Sequence, residues 1–177
     1  MEKVDIYNNE REIVSSNVER WGNLANGEHC IFVFLCLFNQ EGKMLIQKRS
    51  ASKEIYPSLW DFSAGGAVQS GETSYQAIIR ETKEEIGFDL QTKYPKPSFS
   101  IYLQNYICDY YIASTHLELN EFKFASREID VLKWASYEEI IELIDTNEFL
   151  PYHKSLIKFL FDTQNMPYSR LNHPVLF

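Results

Sequence analysis

The apolar positions of the chain fall into short runs separated by polar turns, a pattern typical of a domain built on several strands. The longest run covers residues 30–38, CIFVFLCLF, where every position is apolar. A strand of this composition is covered on both faces, so we expect helices on two sides of a sheet. A second apolar run at residues 43–48 follows a turn at 39–42, and the two runs predict a hairpin.

Shorter apolar runs predict the remaining strands. An N-terminal hairpin is expected at residues 4–14, with an Asn-rich turn at 8–11, and polar, irregular chain continues from 15 to 29. The other predicted elements are a short strand at 60–63, two antiparallel strands within 98–115, a polar loop at 117–127 and a last strand at 131–134.

Capping residues predict the ends of the first helix. Thr73 and Gln76 have the spacing of a capping box, so the helix is expected to begin at residue 74. Gly87 provides the expected stop after residue 86, because glycine readily takes the left-handed conformation that ends a helix.

Two further helices are predicted towards the C-terminal end, one after Ser136 and one opened by Pro151 as a first-turn proline. Because strands and helices are mixed without strict alternation, the expected fold is α+β, an α/β/α sandwich around a mixed β-sheet. We divide the chain into a hairpin and lead-in at 1–29, a main domain at 30–163 and a tail at 164–177. The hairpin and the aromatic tail are candidate homodimer elements.

Composition excludes several classes of protein. With 45% hydrophobic and 24% charged residues, the chain is not expected to be disordered. Its 17 basic and 25 acidic residues give a net charge of −8, which argues against nucleic acid or an anionic membrane as a partner. The N-terminus lacks the apolar segment of a signal peptide, and the longest apolar run is too short to span a membrane, so we expect a cytoplasmic protein.

The cysteines predict neither a disulfide framework nor a zinc site. Cys30, Cys36 and Cys108 are odd in number and none of them forms a CxxC pair. Buried, chemically inert thiols are the expected state.

The predicted helix at 74–86 carries the candidate chemistry. At about 100° per residue, Arg80, Glu81, Glu84 and Glu85 share one side, while Ala77 beneath them is small enough to leave room for a ligand. Neighbouring like charges at these spacings repel one another, and a bound cation would reduce this repulsion. Carboxylate oxygens suit Mg²⁺ or Mn²⁺, which proteins commonly bind together with substrate phosphates. We expect these carboxylates to face outward, with Tyr75, Ile78, Ile79, Thr82 and Ile86 packed against the sheet.

The segment from Gly66 to Phe88 resembles the Nudix box. Gly66, Glu72, the run Arg80-Glu81-Thr82-Lys83-Glu84-Glu85 and Gly87 match the pattern in type and spacing. Thr82 departs from it, because the family usually has an aliphatic residue there. The hairpin before the box and the strand containing Trp134 are also similar to the family, which extends the resemblance over most of residues 30–145.

The resemblance implies a divalent-metal hydrolase that cleaves a diphosphate linkage. Glu84 and Glu85 would be metal ligands, Glu81 a ligand or general base, and the Gly66 carbonyl a further ligand. Arg80 would orient these glutamates through a bidentate pair with Glu72.

A further carboxylate is expected from a loop outside the box. Glu118, Glu121 and Glu128 are candidates, and Glu128 is favoured because the residues around it resemble the corresponding family segment. Arg49 and Lys53 are the candidate phosphate-binding residues.

Two other functions stay open at this point. The segment around Arg49 and Trp60 resembles isopentenyl-diphosphate isomerases, but the places of that family's catalytic Cys and metal-binding His are taken by Gly65 and Ala67. A non-catalytic ligand sensor is the third possibility, although the box glutamates are all present. The group attached to the diphosphate is not predicted.

Overall fold

The computed structural model describes residues 2–20, 22–92, 95–124 and 127–164. Within these ranges, nine strands form a two-stranded hairpin and a mixed seven-stranded sheet. In chain order they are β1 Lys3–Tyr7, β2 Ile13–Glu19, β3 Cys30–Phe38, β4 Met44–Arg49, β5 Trp60–Asp61, β6 Ala64–Ala67, β7 Phe99–Tyr102, β8 Tyr106–Ser114 and β9 Ile129–Ala135.

The central strand of the sheet is β3, the continuous apolar run. It pairs parallel with β8 and antiparallel with β6, while β4 pairs antiparallel with β5 and β9. Within the described residues, the register of β3 and β4 consists of the pair Phe38 and Met44, and further along β3 pairs with β6 and β4 with β5 and β9. β1 and β2 pair antiparallel as the separate N-terminal hairpin.

In the part of the chain that the structure describes, three α-helices cover the two faces of the sheet: α1 Ser74–Ile86, α2 Tyr137–Asp145 and α3 Lys154–Thr163. Ile78 and Ile86 of α1 belong to one buried apolar cluster, and Ile140 of α2 and Ile157 of α3 belong to another. The α+β sandwich with a mixed sheet is therefore confirmed. Within the described ranges, no helix combines the length and apolar character needed to cross a membrane.

Helix caps agree closely with the sequence predictions. Thr73 and Gln76 form the capping box of α1, and Gly87 ends the helix with a left-handed φ of 66°. Ser136 and Glu139 form a second capping box at α2. Cys30, Cys36 and Cys108 are free and buried, as predicted.

The predicted start of the last helix is wrong. α3 begins at Lys154 with His153 as its N-cap, so Pro151 lies before it. The chain stays extended there because Leu150 donates its backbone N–H to Trp60 at 2.9 Å, and the Tyr152 ring packs 4.3 Å from that of Phe62, centroid to centroid.

Two strands also differ from the prediction. β2 continues through residues expected to be irregular, and β6 is a strand that its sequence AGGA did not predict. Both are stabilised by pairing with a partner strand rather than by their own composition. The predicted tail at 164–177 lies outside the described residues except for Gln164, and the division into 1–29, 30–163 and 164–177 stays a prediction.

Candidate active site

Helix α1 and strand β6 bring carboxylates against a pair of glycines. The Glu81 carboxylate lies where a side chain at position 66 would stand, because a Cβ added to Gly66 would be 2.1 Å from Glu81 Oε1. Gly65 is equally restricted, since its added Cβ would lie 2.6 Å from the Val33 carbonyl oxygen. The absence of side chains at these two glycine positions of β6 therefore lets the acidic face of α1 approach the backbone.

Glu85 is held beside Gly65. Its Oε2 accepts hydrogen bonds from the Gly65 backbone N–H at 2.9 Å and from Gln47 Nε2 at 3.1 Å. Burial, together with the nearby charge of Glu81, raises the pKa of Glu85 to about 8. Burial also raises the pKa of Glu81. When both of these buried carboxylates are ionised, the free energy of unfolding is lowered.

Arg80 connects the acidic residues of the box. Its guanidinium donates to both oxygens of Glu72, from Nε at 2.8 Å and from Nη2 at 2.9 Å, in the expected bidentate pair. Nη1 also donates to Glu81 at 2.7 Å and to Glu84 at 3.3 Å. The hydrogen bond from Arg80 lowers the pKa of Glu72. Arg80 thus fixes one carboxylate firmly and orients two others.

The expectation that the three glutamates face outward is wrong for two of them. Only 9% of Glu81 and 5% of Glu85 is exposed, whereas the side chain of Glu84 is 61% exposed. Ala77, expected to leave room for a ligand, is fully buried in the core. On the other side of α1, Ile78, Thr82 and Ile86 are buried as predicted. The helix is therefore covered on both flanks, by the apolar core and by β6.

The donor chemistry of these residues fits a hard divalent cation. Buried carboxylates that repel one another are stabilised when a cation neutralises them, and Mg²⁺ and Mn²⁺ prefer such oxygen ligands. Among the described residues, no three His, Cys, Asp or Glu side chains are grouped as metal ligands. Two of the glutamates, Glu81 and Glu84, form ion pairs with the Arg80 guanidinium.

A cleft of about 500 Å³ opens beside the glycines and is lined by three of the other predicted site residues. Gly65 and Gly66 line it together with Arg49, Lys53 and Glu128. Lys53 forms an ion pair with Glu128, which also lines the cleft. Glu118 and Glu121 are not among its lining residues.

Arg49 has structural contacts in addition to its predicted phosphate-binding role, which stays a prediction. Its guanidinium donates to the backbone carbonyls of Ile55 at 2.9 Å and Tyr56 at 3.1 Å, and lies 3.5 Å from the Asp61 carboxylate. It therefore positions the loop between β4 and β5, which forms one rim of the cleft.

The sequence analysis missed three polar residues of the cleft region. Asp61 is buried, which raises its pKa, and Tyr152 donates its hydroxyl to that carboxylate at 3.0 Å. Gln47 orients Glu85. The one available signal was a polar residue in an apolar strand, because Gln47 directly follows Met44, Leu45 and Ile46.

The chain is similar in sequence and in fold to proteins of a known family. Residues 29–157 match the family described as NUDIX domain. An uncharacterized Nudix hydrolase from Listeria innocua is 34% identical over 93% of this chain and 96% of the relative. An isopentenyl-diphosphate Delta-isomerase from Salmonella heidelberg is 29% identical over 74% of this chain and 76% of the relative. A crystal structure of a Deinococcus radiodurans protein superposes with a TM-score of 0.72 at 27% identity, covering 90% of this chain and 97% of that one.

Proposed function

Because the chain belongs to the NUDIX domain family, we propose that this Nudix hydrolase cleaves a diphosphate linkage in a small molecule by Mg²⁺-dependent attack of water. The observation that supports this most strongly is the placement of Glu81 and Glu85 against Gly66 and Gly65, two glycines that line an open cleft. Carboxylates in this setting serve metal binding and proton transfer.

The metal would be held by oxygens of Glu81, Glu84 and Glu85, with the Gly66 carbonyl and Glu128 as further ligands. When bound, Mg²⁺ neutralises charge on phosphoryl oxygens and makes a bound water more acidic, and Mn²⁺ would suit the same oxygens.

The chain's own residues orient the substrate and move the proton. Glu81 is the proposed general base, and Arg80 fixes its carboxylate through Nη1 while Glu72 holds the guanidinium. Lys53 is the proposed phosphate ligand at the rim, with Arg49 contributing its charge. Because the attacking group is water, a Ser or Cys nucleophile is not required.

The similarity to an isomerase favours a second candidate, a proton transfer that moves a double bond. That chemistry needs a general acid at the alkene. At position 65 even a Cβ would lie 2.6 Å from the Val33 carbonyl oxygen, and Ala67 is fully buried. The three cysteines are buried, and burial raises the pKa of Cys108 to about 11. Hydrolysis therefore has the stronger support.

A panel of diphosphates tests the proposal. Nucleoside diphosphates, nucleotide sugars and isoprenoid diphosphates are incubated with Mg²⁺, and phosphate and monophosphate products are measured for the unaltered protein and for Glu85→Gln. We expect cleavage of at least one compound by the unaltered protein and its loss in the variant. A protein that binds a diphosphate tightly but cleaves none would instead be a ligand sensor.

A further inference from the structure

The loop at residues 68–73, between β6 and α1, runs along strand β1 of the N-terminal hairpin. Ser70 of this loop donates its backbone N–H to the Lys3 carbonyl at 2.9 Å. Val4 and Gln69 form an antiparallel bridge beside that bond. The hairpin therefore supports the backbone of the loop directly.

Asp5 is the side chain of β1 that holds this loop. Its carboxylate accepts hydrogen bonds from Ser70 Oγ at 2.6 Å and from the Gly71 backbone N–H at 3.0 Å. It also accepts the backbone N–H of Asn17, in β2, at 3.1 Å. Only 3% of Asp5 is exposed, and burial alone would raise its pKa, but these hydrogen bonds together lower the pKa below its ordinary value. Asp5 is therefore a charged group that joins both strands of the hairpin to the loop.

Two reciprocal hydrogen bonds connect the loop to Glu72. Glu72 donates its backbone N–H to the Gln69 carbonyl at 3.0 Å, and its Oε2 accepts the Gln69 backbone N–H at 3.0 Å. The same Oε2 accepts from Arg80, whose guanidinium also donates to Glu81. A displacement of residues 69–71 would therefore move Glu72 and, with it, the guanidinium that orients Glu81.

A second contact between the hairpin and Arg80 passes through Ala67, the last residue of β6. Ala67 is fully buried and shares a small apolar cluster with Val4 and Ile6 of β1. Its carbonyl accepts a hydrogen bond from Arg80 Nη2 at 3.2 Å. The hairpin thus contacts both backbone segments that hold the guanidinium, the end of β6 and the loop that follows it.

We propose that Asp5 is a positioning residue for the Glu81 carboxylate, and that it acts through this loop and the guanidinium of Arg80. The inference rests on the proposed function for the role of Glu81 as general base. Asp5 is not among the residues that line the cleft, and it lies outside residues 29–157, which match the family. A substitution of Asp5 should therefore lower turnover without weakening the binding of substrate.

Steady-state kinetics with Mg²⁺ and the diphosphate panel test this role. In Asp5→Asn the side chain keeps its size, but an amide has one acceptor oxygen where the carboxylate has two. Glu19→Gln is the matched control on the same hairpin, because the Glu19 side chain is 59% exposed. Ile157→Val, which loses a methylene from the buried cluster under α3, controls for a general loss of stability. Ser70→Ala, which removes one donor to Asp5, replaces Asp5→Asn if the latter fails to fold.

We expect Asp5→Asn to lower kcat by about 10- to 100-fold, because misplacement of a positioned group by about 1 Å can cost about 100-fold in rate. KM should change less than about twofold, since Asp5 lies outside the cleft lining. In an Arg80→Lys background the same substitution should lower kcat less than about twofold, because the connection through Arg80 is already broken. Full multiplication of the two effects, or an equal loss of kcat in Ile157→Val, would overturn the inference.

A measurement that does not need turnover separates this inference from the proposed function. Arg80 Nε donates to Glu72 at 2.8 Å, so its proton should exchange slowly with water in the unaltered, metal-free protein. NMR of the arginine side chains should show exchange about fivefold faster or more in Asp5→Asn, and no change in Glu19→Gln. Equal exchange in Asp5→Asn and the unaltered protein would overturn the positioning role. If exchange depends on Asp5 but no diphosphate is cleaved, the proposed function fails and the positioning of the Arg80 guanidinium stands.

Discussion

Glu81 Oε1 and the Cα of Gly66 are so close that a methyl group at position 66 would come within 2.1 Å of the carboxylate oxygen. Gly66 does not have a positive φ, so backbone conformation is not the reason for a glycine here. The requirement comes from the carboxylate, which must lie against the β6 backbone. This contact joins the acidic face of α1 to a glycine that lines the cleft.

Replacing the two glycines should therefore have different consequences. In Gly66→Ala the new methyl group meets the end of a flexible side chain, so we expect Glu81 to move, with turnover at least tenfold lower and a nearly unchanged melting temperature. In Gly65→Ala it meets the Val33 carbonyl, which the sheet holds in place, and overpacking of this kind costs about 1–3 kcal/mol. Thermal unfolding and steady-state kinetics of both variants test this contrast, and full activity of Gly66→Ala would contradict it.

The Glu85→Gln substitution should lower turnover by about 100-fold or more, because it removes a charged metal ligand while keeping an acceptor for the Gly65 N–H. Asp89→Asn is a suitable control, since Asp89 is an exposed acid that pairs only with Lys83 among the described contacts. Kinetics with saturating Mg²⁺ provide the measurement. Similar turnover in Glu85→Gln and the unaltered protein would remove Glu85 from the site.

The sequence predicted features that depend on local chemistry. Thr73 and Gly87 mark the ends of α1 because capping is satisfied within a few residues. Pro151 did not mark the start of α3, because Leu150 bonds to the backbone of Trp60 in a distant part of the chain. This contact keeps the chain extended, and the helix begins later, at Lys154. The burial of Glu85 could not be predicted either, because a helical projection shows which residues share a side of the helix but not that a strand with two adjacent glycines lies opposite.

The raised pKa of Glu85 predicts how pH affects the metal-free protein. Its pKa rises from the ordinary 4.5 to about 8 on folding, so between these values the folded state binds more protons than the unfolded state. This group therefore lowers the free energy of unfolding as pH rises through that window. Glu85→Gln should be more stable than the unaltered protein at pH 9, and the difference should shrink towards pH 4. Urea unfolding with EDTA measures it, and a pH-independent difference would contradict the assignment.

Arg80→Lys should disturb both stability and activity. Lysine cannot form the two parallel bonds to Glu72, and a lost charge-assisted hydrogen bond costs about 1.5–3 kcal/mol, reduced here by partial exposure. Glu81 loses its positioning donor as well, so turnover should fall more than substrate affinity. Lys83→Arg on the same helix controls for the change of cation. Unfolding curves measure the loss of stability, and separate values of kcat and KM measure the effect on turnover and on substrate affinity. An unchanged kcat would contradict the role of Arg80 in positioning Glu81.

Mg²⁺ should stabilise the folded protein in a saturable way. A free ion concentration 100 times the dissociation constant corresponds to a gain of about 2.7 kcal/mol, since only the folded state assembles the carboxylates. The shift in melting temperature should be much smaller in Glu85→Gln and unchanged in Asp89→Asn. A thermal shift that is equal in all three proteins would indicate ion binding elsewhere.

The most direct test of the central claim follows solvent atoms into the product. The protein is incubated with Mg²⁺ and the diphosphate panel in ¹⁸O-labelled water, and with isopentenyl diphosphate in heavy water, and products are analysed by mass spectrometry. A hydrolase that uses the α1 carboxylates places one ¹⁸O atom in the released phosphate or monophosphate, and Glu85→Gln abolishes this label. Deuterium in the carbon chain of the isoprenoid, with no ¹⁸O in any phosphate product, would contradict the account and establish isomerisation instead.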